Sequence, residues 1–262
     1  MNDDRYNIPP PIPPTYAGAG AGAGAGTYGG TIPVAESPDD RAPIAGIFGA
    51  AEAVLRQPRR LTYQLRQPQP GGLIGALLLI TFVCSLVYGI VVGTFSGGDQ
   101  LWIAPVKIAG GLLFSALICL PSLYIFSCLS GSQARLVEVG GLLMGLLALL
   151  TILLVGFAPV ALVFSTSTGN LAAMGTLHLM FGLIATGFGL RFLHAGFAQL
   201  QSRPLGSRFW GLIFMLVLLQ MTTALRPIIG TSSTFFTAEK KFFVSHWVDC
   251  MKPEPWKPER AR

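Results

Sequence analysis

Five long apolar runs follow one another between residues 72 and 225, and short polar stretches separate them. Each run approaches the roughly 20 residues that an α-helix needs to cross a bilayer. Because the connections are short, neighbouring helices should run antiparallel. The pattern predicts an all-α membrane protein in which five transmembrane helices form an up-and-down bundle within residues 71–228. The predicted spans are residues 72–95, 107–128, 137–164, 171–193 and 209–225.

Two of these runs contain a proline, Pro121 in the second and Pro159 in the third. A proline removes one backbone hydrogen bond, and neighbouring helices can satisfy the freed carbonyl group. We expect both helices to tilt or bend there.

Residues 43–70 have a different pattern, in which apolar residues at helical spacing precede a cluster of arginines. Pro43 suits the first position of a helix. We predict a short amphipathic helix followed by a basic linker. This helix either lies on the membrane surface beside anionic headgroups or packs on the bundle itself. Its apolar positions are Ile44, Ile47, Phe48, Ala51 and Leu55, and the arginines are Arg56, Arg59, Arg60 and Arg66.

The two ends of the chain lack the side chains that would form a core. Residues 1–42 combine a proline-rich segment with alternating glycine and alanine, which predicts a disordered or extended arm. Residues 229–262 form a predicted extramembrane tail that is rich in charge and ends in a proline-rich stretch. We expect partner proteins to contact the aromatic residues of both ends, namely Tyr6, Tyr16, Tyr28, Trp247 and Trp256.

Composition and charge support the membrane interpretation. Hydrophobic residues make up 52% of the chain and charged residues only 11%, against roughly 25% charged residues in soluble proteins. The net charge is +6, but the basic residues lie near the ends of the predicted spans. Eight of these lie on the N-terminal side of the membrane and four on the other, which places the N-terminus in the cytoplasm and the C-terminus in the periplasm. No nucleic-acid partner is expected.

Small residues recur at the four-residue spacing that lets helices approach closely in lipid. We expect them to pack helices of this chain together rather than to form a dimer interface. They are Gly89 and Gly93 in the first span, Gly141 and Gly145 in the third, and Ala185 and Gly189 in the fourth, where Gly182 lies one turn earlier.

Polar residues at the ends of the spans suggest membrane boundaries. Arg226 should reach the headgroups from the outer end of the fifth span. Pro227 should end that helix, and Gly230 should allow the chain to turn. Trp102 and Lys107 should mark the boundary before the second span, and Glu138 can pair with Arg135 at the start of the third.

Candidate chemistry within the spans is sparse. The sequence contains none of the common hydrolase, zinc-protease or phosphate-binding motifs, and its four cysteines form no metal-binding cluster with histidine. We therefore expect neither an enzyme nor a metal site, and we place no Asp, Glu, Lys or Arg in the middle of a span. His178 is the one titratable residue that we place inside the membrane. It either hydrogen-bonds to a neighbouring helix as a neutral side chain or ligates a haem or a chlorophyll-type pigment. His194 lies sixteen residues away, roughly 24 Å along a helix, and cannot share that ligand.

Three segments together resemble a known family. They are "SLVYGIVVGTFSGGDQLWIAPVKI", "LLFSALICLPSLYIFSCLSGS" and "QMTTALRPIIGTSSTFF". Over about residues 45–245 the chain resembles a group of bacterial inner-membrane proteins, without an established activity, that is placed near the five-span Yip family. The matching positions are Tyr88, Gly89, Gly93, Gly97, Gly98, Gln100, Trp102 and Lys107, then Cys119, Pro121, Leu123, Tyr124, Phe126, Leu129, Gly131 and Ser132, and finally Leu225, Arg226, Pro227 and Gly230. The family usually continues with Ser-Pro after that last glycine, where this chain has Thr-Ser. The resemblance implies a five-span fold in the bacterial inner membrane.

These observations lead to one main functional hypothesis and two alternatives. In the main one, the chain is a non-enzymatic scaffold or accessory subunit of a larger membrane complex, bound by lipids and holding other subunits with its two ends. In the first alternative it is a pigment- or haem-associated subunit of a photosynthetic or respiratory complex that uses His178. A transporter or channel is disfavoured, because such proteins normally keep ionisable groups inside the membrane.

Overall fold

Long apolar segments form long helices in this chain, because a helix satisfies every backbone hydrogen bond within the segment itself. The structure, a computed structural model, describes residues 38–96, 100–167, 171–200 and 204–225. These residues all belong to one compact unit and form a 3₁₀ turn and seven α-helices, with no strand among them. The turn is Pro38–Arg41, and the helices are α1 (Gly46–Arg56), α2 (Pro58–Leu65), α3 (Gly71–Ser96), α4 (Gln100–Leu129), α5 (Leu136–Ser167), α6 (Leu171–Gln199) and α7 (Pro204–Leu225).

Four of these helices are long and apolar enough to cross a membrane. Their apolar segments contain 25 to 32 residues, which is about 38–48 Å at 1.5 Å per residue and exceeds the roughly 30 Å hydrocarbon core. The segments are Gly71–Phe95, Leu101–Leu129, Leu136–Ser167 and Ala173–Gln199. The all-α prediction is therefore confirmed for the described residues, and the protein is membrane-embedded. The fifth predicted span falls in α7, whose described apolar part, Arg208–Met221, is shorter. That span stays a prediction.

The helices extend beyond the apolar runs from which they were predicted. The largest difference is at the start of α4, which begins at Gln100 instead of residue 107. α6 continues to Gln199 and α7 begins at Pro204, a residue suited to the first helical turn. The apolar run covers only the part of a helix that faces lipid or the protein core. The hydrogen-bonded helical backbone continues beyond this run into the flanking residues.

The amphipathic segment forms two short helices, α1 and α2, that pack on the bundle. α1 buries Ala50, Ala53 and Val54 and contacts α3 and α5. Its other face leaves Phe48 92% exposed. Of the two predicted locations, α1 therefore occupies the one on the bundle. Its outer face is apolar and exposed.

Side chains of α2 hold the backbone in front of α1. The Arg60 guanidinium donates hydrogen bonds to the carbonyl oxygens of Ala42 and Pro43, both at 2.8 Å. Gln64 donates to the Ala42 carbonyl oxygen at 2.6 Å and accepts from the Ile44 amide at 3.1 Å. The point at which the predicted N-terminal arm joins the helices is thus fixed by four hydrogen bonds.

α5 lies at the centre of the bundle and packs against α3, α4 and α6. Several of its contacts require glycine. A Cβ atom on Gly141 would collide with the Leu65 side chain, and one on Gly145 would lie 2.7 Å from the Phe192 ring. On α6, a Cβ atom on Gly189 would lie 3.1 Å from Leu146. These glycines pack helices of the same chain.

The first span contains the tightest of these approaches. A Cβ atom on Gly89 would collide with the Pro105 backbone of α4. Gly93, one turn later in α3, is buried as well. Gly182 differs, since a Cβ atom there would meet no described heavy atom within 4 Å.

The Arg135 guanidinium ties the turn before α3 to the start of α5. The Arg135 Nε donates to the Glu138 carboxylate at 2.7 Å, which confirms the predicted pairing. The same guanidinium donates to the carbonyl oxygens of Arg66 and Gln67 at 3.2 and 3.3 Å.

Candidate functional site

Seven polar residues of the membrane helices line one cavity between α3, α4, α5, α6 and α7. Its volume is about 100 Å³, and most of its lining is apolar. Its residues come from the N-terminal halves of α4 and α6 and from the middle or C-terminal halves of α3, α5 and α7, as an antiparallel bundle requires. The polar side chains of the lining are Ser85, Tyr88, Lys107, Ser115, Thr151, His178 and Thr186.

Tyr88 and His178 form the polar centre of this cavity. The Tyr88 hydroxyl and the His178 Nδ1 are 2.7 Å apart, and both side chains are almost completely buried. The two rings meet edge to face with centroids 5.6 Å apart. His178 thus makes the contact to a neighbouring helix that was one of the two predicted interpretations.

The proton positions in this pair follow from the number of buried polar groups that each arrangement leaves without a hydrogen bond. If the Tyr88 hydroxyl donates to Nδ1, the remaining proton of a neutral imidazole lies on Nε2. The opposite arrangement would leave both the hydroxyl proton and the Nε2 lone pair without a partner. Because each unmade buried hydrogen bond costs about 1–3 kcal/mol, the first arrangement is favoured.

The Nε2 atom of His178 is buried and has no hydrogen-bond partner among the described residues. A buried polar atom without a partner raises the free energy of the fold, so this nitrogen is a candidate position for a bound group or a water molecule. His194 on the same helix also has a buried Nε2 without a partner, but His194 is absent from the cavity lining.

Lys107 lies two turns inside α4, is 1% exposed and lines the cavity. It is the seventh residue of the apolar segment Leu101–Leu129. Its expected place at the membrane boundary, and the absence of lysine from the middle of a span, stay predictions. The six residues before Lys107, "LWIAPV", are all apolar, so the apolar segment begins before the predicted span. Trp102, the other expected boundary residue, is 77% exposed.

The serine and threonine hydroxyl groups of the cavity donate hydrogen bonds to carbonyl oxygens of their own helices. Ser115 donates to the Gly111 carbonyl oxygen at 2.7 Å, and Thr186 donates to that of Gly182 at 2.7 Å. Ser85 and Thr151 bind their own helices in the same way. These four hydroxyl protons are therefore already engaged, and none of the described lining residues is acidic.

The other predicted residues divide into two groups. Pro121 and Pro159 lie inside α4 and α5. The residues expected at the outer end of the fifth span and those expected to contact partners lie outside the described residues. These are Arg226, Pro227 and Gly230, and Tyr6, Tyr16, Tyr28, Trp247 and Trp256.

The described residues contain no group of three or more His, Cys, Asp or Glu side chains that could hold a metal ion. For a haem or a pigment, His178 Nε2 is the nitrogen that the cavity offers. However, the cavity of about 100 Å³ is smaller than the roughly 300–1,000 Å³ of sites that hold drug-sized ligands.

Comparison with protein-family models, with curated proteins and with solved structures gives no match to this chain. The resemblance to the Yip-like bacterial group therefore stays a prediction.

Proposed function

We propose that the chain is a five-span protein of the bacterial inner membrane, of the Yip-like group, that serves without catalysis as a scaffold or accessory subunit of a larger complex. Its N-terminus would be cytoplasmic and its C-terminus periplasmic. The partners would be membrane lipids and other membrane subunits, held by the two ends of the chain.

The observation that carries this proposal is the outer face of α1. Phe48 is 92% exposed, and Ile47 and Leu55 beside it on the same helix are 45% and 49% exposed. These three side chains lie on the outer face of α1, whereas the opposite face packs against the bundle and is buried. An exposed apolar patch of this kind is typical of a contact with a partner or a lipid surface.

The second support is the fixed position of the chain in front of α1. Arg60 and Gln64 hold residues 42–44 on α2. Residues 42–44 therefore have a fixed position relative to α1 and its exposed face. A partner that binds the predicted N-terminal arm could contact this face as well, which raises the overall affinity without requiring either contact to be strong.

Affinity purification from native membranes tests this proposal. The full chain is compared with a chain lacking residues 1–42 and 246–262, and with the full chain carrying Phe48→Ser. We expect the same set of proteins to co-purify with the full chain and with a Phe48→Leu control, and to be lost from the other two. Identical co-purifying proteins in all four samples would contradict the proposal.

A pigment- or haem-binding subunit is the second candidate, favoured by the unpartnered Nε2 of His178. The cavity would hold only part of a tetrapyrrole, and we place this function second for that reason. The absorbance spectrum of the purified protein decides it. A visible band that disappears in His178→Ala would support this function, and the absence of any visible band would exclude it.

A further inference from the structure

A second pocket lies at the end of the bundle where α3 and α5 begin and α4 and α6 end. Its volume is about 550 Å³, within the roughly 300–1,000 Å³ of sites that bind small molecules. We call it the boundary pocket. Unlike the cavity around His178, it is lined mainly by polar and charged side chains, which are Arg66, Gln133, Arg135, Glu138 and Gln199.

The lining of the boundary pocket lies at the depth of the lipid headgroups. Each lining residue is within five residues of the start of the apolar segment Gly71–Phe95 or Leu136–Ser167, or of the end of Leu101–Leu129 or Ala173–Gln199. These segments of 25 to 32 residues measure about 38–48 Å, close to the roughly 40–45 Å of a bilayer with its headgroup regions. A pocket at their common end therefore lies among headgroups and not in the hydrocarbon core.

Two guanidinium groups share this pocket. The Arg135 Nη2 donates to the carbonyl oxygens of Arg66 and Gln67 at 3.2 and 3.3 Å, which holds the start of α5 against the turn that carries Arg66. The Arg135 Nε donates to Glu138 at 2.7 Å, and Glu138 is the one acidic side chain among the described lining residues. Two arginines and one carboxylate give this lining a net charge of +1. A complementary ligand carries negative charge and accepts hydrogen bonds.

Backbone hydrogen bonds fix the loop between α4 and α5, which forms one wall of the pocket. Gly131 has a φ of 80°, which glycine adopts without steric cost. The Ser132 amide donates to the Ser127 carbonyl oxygen at 3.1 Å and closes the end of α4. The Ser132 hydroxyl accepts from the Ala134 amide at 3.2 Å. A wall that is already ordered lowers the entropy cost of binding.

Exposed apolar side chains adjoin the charged lining. Leu136 and Val137, which lie between Arg135 and Glu138 in the chain, are each 50% exposed, and Leu129 at the end of α4 is 77% exposed. A free phosphate ion would contact only the charged part of this surface. A phospholipid matches both parts, because its phosphate can reach the arginines while its acyl chains lie against leucine and valine.

Headgroup chemistry narrows the class of phospholipid. The ammonium of a zwitterionic headgroup would need an acidic partner, and the one described acidic side chain of the lining is already paired with Arg135. A glycerol headgroup carries hydroxyls instead. These suit the amide groups of Gln133 and Gln199, which offer both donors and acceptors.

We propose that the boundary pocket binds one anionic phospholipid, phosphatidylglycerol, from the bilayer. Its phosphate accepts hydrogen bonds from the guanidinium groups of Arg66 and Arg135, its glycerol hydroxyls bind Gln133 and Gln199, and its acyl chains extend along the exposed start of α5. The binding is non-covalent. It requires only that the chain lies in a bilayer and is independent of the accessory role proposed above, so either proposal can fail without the other.

Native mass spectrometry of the full chain in detergent micelles tests the proposal, because it counts the lipid molecules bound to each chain. Dioleoyl phosphatidylglycerol and dioleoyl phosphatidylcholine have the same acyl chains and differ in headgroup charge. We expect one phosphatidylglycerol per chain to bind at least about fivefold more tightly than phosphatidylcholine. Equal affinities for the two lipids would overturn the proposal.

Inorganic phosphate and glycerol 3-phosphate distinguish a lipid site from a site for a free phosphate. Neither compound, in large molar excess, should displace the bound phosphatidylglycerol, because both lack the acyl chains that contact α5. Displacement by either compound would overturn the assignment to a lipid.

Two arginine variants locate the site. Arg66→Gln should weaken phosphatidylglycerol binding by about tenfold, because it removes a charged hydrogen-bond donor. Arg66 is exposed, so the substitution should leave the fold intact. The matched control is Arg59→Gln, which removes the same charge from an exposed position of α2 outside the lining and should change the affinity less than about twofold. Equal weakening by the two variants would show that the assigned pocket is wrong.

A photoreactive phosphatidylglycerol, with a diazirine near the ester end of one acyl chain, tests the same site in the unaltered protein. Mass spectrometry should find the label on residues 129–137 or 199–200, and unlabelled phosphatidylglycerol should prevent this labelling more effectively than phosphatidylcholine does. Labelling restricted to other parts of the chain would overturn the proposal.

Discussion

The contact between Gly89 and Pro105 allows the most direct test of the helix packing. A Cβ atom at Gly89 would overlap the Cα atom of Pro105 and touch its nitrogen and Cβ. A flexible side chain could turn away from such an overlap, but the backbone of α4 cannot. Gly89→Ala therefore forces α3 and α4 apart, or shifts one helix along the other.

The magnitude follows from the geometry of the contact. Restoring an ordinary carbon–carbon separation of about 3.5–4.0 Å requires the two helices to move apart by roughly 1.2–1.7 Å, and a gap of 0.5–1 Å already forfeits a quarter to a half of the dispersion energy of the atoms involved. Overpacking of this kind typically costs about 1–3 kcal/mol. Because the added methyl group would overlap a backbone atom, we expect the unfolding free energy to fall by about 3 kcal/mol, the upper end of that range.

Gly75→Ala is the matched control, because it introduces the same methyl group in the same helix. A Cβ atom at Gly75 meets no described heavy atom within 4 Å. Replacing a helical glycine by alanine at an open position is neutral or stabilises by up to about 1 kcal/mol. The two variants thus differ only in what the added methyl group meets.

Unfolding of both variants in mixed detergent micelles, followed by circular dichroism during a titration with dodecyl sulfate, measures the difference. We expect Gly89→Ala to unfold at a clearly lower denaturant fraction than the unaltered chain, and Gly75→Ala to unfold at the same fraction or a higher one. Equal stability of the two alanine variants would refute the close approach of α3 and α4.

Two further predictions test the polar contacts. Tyr88→Phe should lower the unfolding free energy by about 1–2 kcal/mol in the same titration, because it removes the hydroxyl that hydrogen-bonds to the buried Nδ1 of His178. Its matched control, Tyr63→Phe on the half-buried face of α2, should change the stability by less than about 0.5 kcal/mol; equal losses would argue against the Tyr88–His178 bond. Arg60→Ala should speed trypsin cleavage at Arg41 several-fold relative to Arg59→Ala, since Arg60 binds the carbonyl oxygens of Ala42 and Pro43 next to the cleavage site. Equal cleavage rates would show that these bonds do not restrain that segment.

The helices were predictable because apolar length and helix formation are linked in a membrane protein. A continuous apolar run of more than 20 residues has few alternatives to a helix. The ends were less predictable, as the start of α4 shows. We began the predicted span at Lys107 because a lysine usually marks a membrane boundary. The residues on both sides of Lys107 are apolar, however, and the helix begins at Gln100.

The cavity could not be predicted from the sequence. α3, α4 and α6 are apolar on all sides, so their residue patterns do not distinguish the face toward lipid from the face toward the core. Tyr88, Lys107 and His178 lie on three different helices, and only the packing of those helices brings them to one place. Gly182 illustrates the same limit. Its spacing suggested a packing residue, but it lines the cavity and has open space beside it.

The close backbone contact between α3 and α4 is physically coupled to the polar contact of Tyr88. Gly89 follows Tyr88 directly in α3, and a Cβ atom on Gly89 would overlap the Pro105 backbone of α4. Separating α3 from α4 by roughly 1.5 Å would displace Tyr88 and disturb its 2.7 Å hydrogen bond to His178 on α6. Gly89→Ala should for this reason change the His178 imidazole signals in the NMR spectrum of the isotope-labelled protein as well as lower its stability. Gly145→Ala, which opens the contact with Phe192 on another side of the bundle, should lower stability with a smaller effect on those signals. Equal changes of the His178 signals in the two variants at matched stability would show that the α3–α4 contact has no special role in the site.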